Sequence, residues 1–171
     1  VFAAFLLIGN LELDRIIAGY QDAIARCNTE IFEYIRENRQ PGDVVLASMP
    51  AQAAVSLGGL DYYVPPRTLP FDGIYFRKDQ LIDRWGGGVV INNVDQLYHV
   101  LENANRVWIH LDGYRSPTNL TTILSEKHPR LYLETLGQPV LESFGVRLRL
   151  WRKDDGLMPH IPNQGMDLGN Y

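Results

Sequence analysis

Along residues 11–38 the apolar positions recur at helical spacing. Leu13, Ile16, Ile17, Tyr20, Ile24, Cys27, Ile31, Tyr34 and Ile35 follow one another at steps of one, three or four, which lays one apolar stripe along a helix. Gly19 weakens that helix by about 1 kcal/mol relative to alanine, and Asn38 with Pro41-Gly42 ends it. The pattern then changes. Asp43–Ala47 is a short apolar run bounded by turn residues, as expected of a strand covered on both faces. Ser48-Met49-Pro50 opens a small-residue helix, since proline is tolerated in a first turn where its missing N–H is not needed. A strand feeding a helix is half of a βαβ unit, so the stretch 41–59 is the natural centre of the domain.

Downstream, Gly58-Gly59 stops the helix and Asp61–Val64 reads as a second strand, closed by Pro65-Pro66. Residues 65–80 carry prolines, aromatics and charges with neither period, which reads as a long loop. Two roles suit it: a binding lip or membrane-facing surface with Phe71, Tyr75 and Phe76 over Arg67, Arg77 and Lys78, or an irregular crossover filling the core edge. Leu81–Trp85 reads as a short helix, and Gly86-Gly87-Gly88 as a break before the strand Val89–Ile91. The glycines precede a strand instead of following one, which is the wrong order for a phosphate loop. Asn93 and Gln96 have the spacing of a capping box, opening a helix through Ala104, and Arg106–Leu111 is another buried strand. Ser116-Pro117 opens a further helix to Lys127-His128, and Leu131–Leu136 reads as a strand. Phe144–Trp151 alternates strictly, with arginines at 147 and 149, which places it at a sheet edge with antiparallel pairing.

These elements predict an α/β fold: a three-layer Rossmann-like domain, with a mainly parallel sheet and one antiparallel edge strand. With 171 residues, one domain is the default, spanning residues 11–153, followed by an aperiodic tail at 154–171. Val1–Ile8 is wholly apolar but far shorter than the roughly 20 residues that span a bilayer. It reads either as the end of a transmembrane helix, within residues 1–10, or as a segment docking on the core.

Charge and chemistry narrow the functional classes. A net charge of −4, with 16 scattered Lys and Arg residues, gives no basic field for nucleic acid. Cys27 is the only cysteine and falls on the apolar stripe, so it reads as a small core hydrophobe. The four histidines are isolated from one another, which disfavours a zinc site, and nothing calls for a cofactor. In a parallel sheet, ligands bind beyond the carboxyl ends of the strands. Ser48, Asn92, Asn93, His110 and Asp112 all fall at such ends, with Arg67 on the adjoining loop, and form the candidate ligand-binding set. Architecture competes for the same residues, with Ser48 and Asn93 as helix caps and Asp112-Gly113 as a turn.

One resemblance extends this reading. The succession of a long helix, a Pro-Gly-Asp strand, a helix ending in Leu57-Gly58-Gly59, and the strands at Asp61–Val64, Gly88–Asn92 and Arg106–Ile109 resembles a known domain type. It is similar to the C-terminal extracytoplasmic domain of membrane glycosyltransferases that use polyprenyl-phosphate sugars, the protein mannosyltransferase-like and aminoarabinose-transferase-like group. The match covers roughly residues 34–151. The resemblance implies attachment to a membrane on its extracytoplasmic face, and a membrane domain of the same protein as partner. It also implies a polyprenyl-phosphate sugar or its acceptor as further partner, and catalytic carboxylates in a membrane-region loop with no counterpart here. The chain alone is then not catalytic. The alternatives are a free-standing sugar or small-molecule binding module and a purely structural interaction domain.

Overall fold

The computed structural model describes residues 2–65, 73–112, 129–143 and 145–155, with only the helical backbone described over 2–17. Helix α1 runs from Phe2 to Asn38, strand β1 from Val44 to Ala47, and helix α2 from Pro50 to Leu57. Strands β2 (Tyr62–Tyr63), β3 (Ile74–Arg77), β4 (Gln80–Asp83) and β5 (Val89–Val90) follow. Helix α3 (Val94–Asn103), β6 (Arg106–Leu111), the single turn α4 (Arg130–Leu133), β7 (Gln138–Ser143) and β8 (Val146–Arg152) complete the described elements, before a 3₁₀ turn at Lys153–Asp155. The apolar start of the chain is thus continuous with α1. Among the described residues, no helix is long and apolar enough to cross a membrane.

All eight strands form one sheet in the order β3-β4-β5-β2-β1-β6-β8-β7. The pairs β1–β2, β1–β6 and β2–β5 are parallel. The pairs β3–β4, β4–β5, β6–β8 and β7–β8 are antiparallel. The expectation of a Rossmann-like, mainly parallel sheet with one antiparallel edge is therefore corrected to a mixed sheet. The physical reason is that antiparallel hairpins join both flanks of a short parallel centre. A hairpin needs only a tight turn, whereas a parallel pair needs a crossover.

Three local readings change with it. Residues 74–83 form a hairpin, not loop followed by helix, and its two-residue turn Lys78-Asp79 takes φ of 48° and 65°. Turns with positive φ at both central positions match the twist of paired strands, which offsets the cost of placing non-glycine residues there. Residues 130–133 are a turn of helix, not part of a strand. Strand β8 is interior, flanked by β6 and β7, not an edge. Its alternation has another origin: Val146, Leu148 and Leu150 pack against α1, while Arg147 pairs with Glu134 and Glu142.

Side chains alternate across β6 and divide the core. Val107, Ile109 and Leu111 join Leu97, Val100 and Leu101 of α3. Trp108 faces the other way and joins Ile24, Cys27, Ile31, Phe32 and Ile35 of α1. Cys27 is buried, as its place on the stripe predicts, with its Sγ 3.4 Å from the Ser143 hydroxyl. Helix α2 ends at Gly58, whose φ of 77° lets its N–H reach the Ala54 carbonyl.

Candidate functional site at the carboxyl ends of the central strands

Strands β1, β2 and β6 run parallel, so Ser48, Val64 and Asp112 emerge at the same edge. A cavity of about 230 Å³ opens there, lined by Ser48, Met49, Pro50, Ala51, Tyr63, Trp85 and Asp112. The Ser48 hydroxyl accepts a hydrogen bond from the Asp112 backbone N–H at 2.7 Å, and the Ser48 N–H donates to the His110 carbonyl. These bonds tie the exit of β1 to the exit of β6. Ser48 is therefore not a helix cap: the cap position of α2 is Met49, which makes no side-chain capping bond. The Asp112 carbonyl accepts from Arg130 at 2.5 Å, and both residues are buried.

The opposite wall is built by the turn after β4. Asp83 is fully buried, and its Oδ2 accepts from the N–H groups of Trp85 and Gly86 at 3.1 and 2.5 Å. Burial pushes the Asp83 carboxyl above the usual range, opposed by backbone hydrogen bonds from Gly86, Trp85 and Gly87. Its Oδ1 is buried with no partner among the described residues. The turn it holds projects Trp85, which stays half exposed under the Arg84 guanidinium. The Trp85 ring lies over Gly73, where a Cβ would overlap it, and the Gly73 φ of 91° itself favours glycine.

The remaining candidates separate. Asn93 lines a different cavity, between the β3–β4 hairpin and α3. Its Oδ1 caps α3 by accepting from the Gln96 N–H, while the Gln96 side chain accepts from the Asn92 N–H, so the capping box closes one residue earlier than its usual form. Asn92 is half buried and accepts from the Asn93 amide. His110 is fully buried beneath α1 and unavailable to ligand. Its Nε2 lies 2.6 Å from Asn28 Oδ1, and its ring packs on Phe32 at 4.5 Å. Burial first, and the Arg130 charge second, push its pKa down to about 3, so the ring is neutral near pH 7. Asn28 Nδ2 donates to the Ile24 carbonyl, which leaves Oδ1 as the acceptor for a proton on Nε2. Arg67 and the predicted helix at 116–128 lie outside the described residues, as does the tail beyond 155.

Among the described residues, no group of three or more His, Cys, Asp or Glu side chains is arranged to hold a metal ion. Of the sequence candidates, then, Ser48 and Asp112 meet at one cavity. Tyr63 and Trp85 line it as well, and sequence reasoning missed both. Trp85 was hidden because the hairpin before it carries no Asn-Gly turn. Comparisons against family models, curated proteins and solved structures find no match to this chain.

Proposed function

We propose that this chain is the extracytoplasmic domain of a membrane glycosyltransferase using polyprenyl-phosphate sugars, and that its strand-end cavity takes a hydroxyl-rich ligand, either acceptor or sugar donor. The supporting observation is the cavity between the exits of β1, β2 and β6, where Ser48, Tyr63 and Asp112 meet the half-exposed Trp85. Hydroxyls of a sugar bond well to a carboxylate. The apolar C–H face of a sugar ring suits the flat face of an indole, which combines apolar area with a polar edge. In this reading the domain binds and presents, while transfer chemistry belongs to the membrane domain of the same protein.

The test is a titration of tryptophan fluorescence with mannose, glucose, 4-amino-4-deoxyarabinose and a short-chain polyprenyl-phosphate mannose. Saturable quenching by one of these, lost in Trp85→Ala and weakened at least about tenfold in Asp112→Asn, is the expected result; about tenfold corresponds to one charged hydrogen bond of roughly 1.4 kcal/mol. Absence of saturable binding by every sugar removes the ligand assignment. A purely structural role is favoured by one observation: the Ser48 hydroxyl and the Asp112 backbone already serve each other and Arg130. Under that reading, Asp112→Asn in the whole enzyme leaves sugar transfer unchanged.

A further inference from the structure

A second cavity, of about 630 Å³, lies between the β3–β4 hairpin and α3, away from Ser48 and Asp112. Its size falls within the range of small-molecule sites, about 300–1,000 Å³. Tyr62, Phe76, Leu81, Val89 and Val100 supply an apolar lining. Phe76, which lines the cavity, is 77% exposed. Two carboxylates flank the opening: Asp79 from the hairpin turn and Asp95 from the first turn of α3, both exposed.

The sign of the site follows from what else faces it. No lysine or arginine is among its described lining residues. A helix start ordinarily attracts anions through its unpaired N–H groups. Here the Asn93 side chain already accepts from the Gln96 N–H, and Asp95 and His99 are the titratable groups that α3 brings to the cavity. Asp79 sits at the tip of the hairpin turn beside Lys78, both with positive φ.

From this combination we infer that the groove binds a small organic ammonium ion carrying an apolar body, with Phe76 and Tyr62 receiving the body and Asp79 and Asp95 the cation. An aromatic face and a nearby carboxylate both favour a desolvated ammonium group. This site is independent of the sugar assignment and involves none of its residues.

The test uses the full 171-residue chain, labelled with nitrogen-15, and three probes of one shape: 2-phenylethylammonium, 2-phenylethanol and 3-phenylpropanoate. At pH 7 the ammonium probe produces saturable amide shifts at residues 79–81 and 89–100, the alcohol binds more weakly, and the carboxylate does not bind. The double variant Asp79→Asn/Asp95→Asn weakens the ammonium about three- to tenfold, as expected for exposed ion pairs, and leaves the alcohol unchanged. Phe76→Ala weakens both. Because all three positions are exposed, these variants keep the fold, and the alcohol reports that the groove persists. Equal binding of ammonium and alcohol, unchanged ammonium binding in the double variant, or saturable shifts confined elsewhere would each overturn the inference.

Discussion

The two ends of the central strands each hold a buried aspartate, but only the one at the carboxyl end borders a cavity. At the amino end, Asp43 is buried, and its Oδ2 accepts from the Trp108 indole N–H at 2.8 Å and from the Gln40 N–H at 3.0 Å. Its Oδ1 pairs with Arg106 at 3.4 Å. Asp61 beside it accepts from the Val45 N–H and from Arg39. Every one of these bonds closes within the domain, and they lock α1, β1, β2 and β6 together. At the carboxyl end, Ser48 and Asp112 knit two strand exits but border open volume beside an exposed indole. A carboxylate in an α/β sheet is thus no sign of a site until the end of the strand it occupies is known. Ligands collect where parallel strands stop, because the turns there diverge to opposite faces.

The contrast can be broken most severely at Asp43. Asp43→Ala strands the buried Trp108 N–H and removes the partner of Arg106, so urea unfolding should report a loss of about 3 kcal/mol, the lower end for a broken buried pair. A loss under 1 kcal/mol would mean the amino end is no tighter than the carboxyl end. His110 gives an effect of similar size, through pH. Its folded pKa of about 3 lies below the unfolded value of 6.5, so the unfolded chain binds the extra proton between these values. The contribution of this group is complete above pH 6.5 and is lost as pH falls toward 3. The slope is about 1.4 kcal/mol per pH unit, and His110→Leu should flatten it in denaturation curves taken from pH 7 to 4.

How much of this was legible in the sequence depends on the strength of each local signal. The run Arg106–Leu111 is β6 to the residue, because four apolar residues among six sit between clear breakers. Pro41-Gly42 and the Asn93–Gln96 cap were equally readable, as side chains with one dominant local use. The hairpin at 74–83 was not, since Lys78-Asp79 lacks the glycine that marks such turns. Strand β7 was missed because Pro139 argues against a strand, and the register slips between Pro139 and Leu141. Helical spacing found most of the buried face of α1 but passed over Phe32 and Asn28, both fully buried. Asn28 belongs there only because His110, 82 residues away, needs its carbonyl oxygen. Pairings of that range leave no local mark: of the six candidate residues, Ser48 and Asp112 line one cavity, Asn93 lines another, and His110 is turned into the core.

Smaller effects sharpen the same contrast. Ser48→Ala removes the acceptor of one buried N–H and should cost about 1 kcal/mol in thermal or urea unfolding, with the cavity otherwise preserved. Asp112→Asn keeps the backbone that bonds Ser48 and Arg130 but neutralises a buried carboxylate, and unfolding should report a loss of about 1 kcal/mol, the net worth of one hydrogen-bonded group. A larger loss would place Asp112 with Asp43, among residues whose carboxylates hold the fold.

The position of β8 bears on biosynthesis. Strand β6 is complete by Leu111, yet one of its neighbours is the last strand described, Val146–Arg152. While the chain is being made, the parallel centre therefore waits with one edge of hydrogen-bonding groups open until some forty further residues have left the ribosome, a count set by the distance from Leu111 to Arg152. Such an edge invites pairing with other chains. Arrested nascent chains ending before Val146 should accordingly be held by chaperones or aggregate, and chains extended past Arg152 by enough residues to clear the exit tunnel should resist protease.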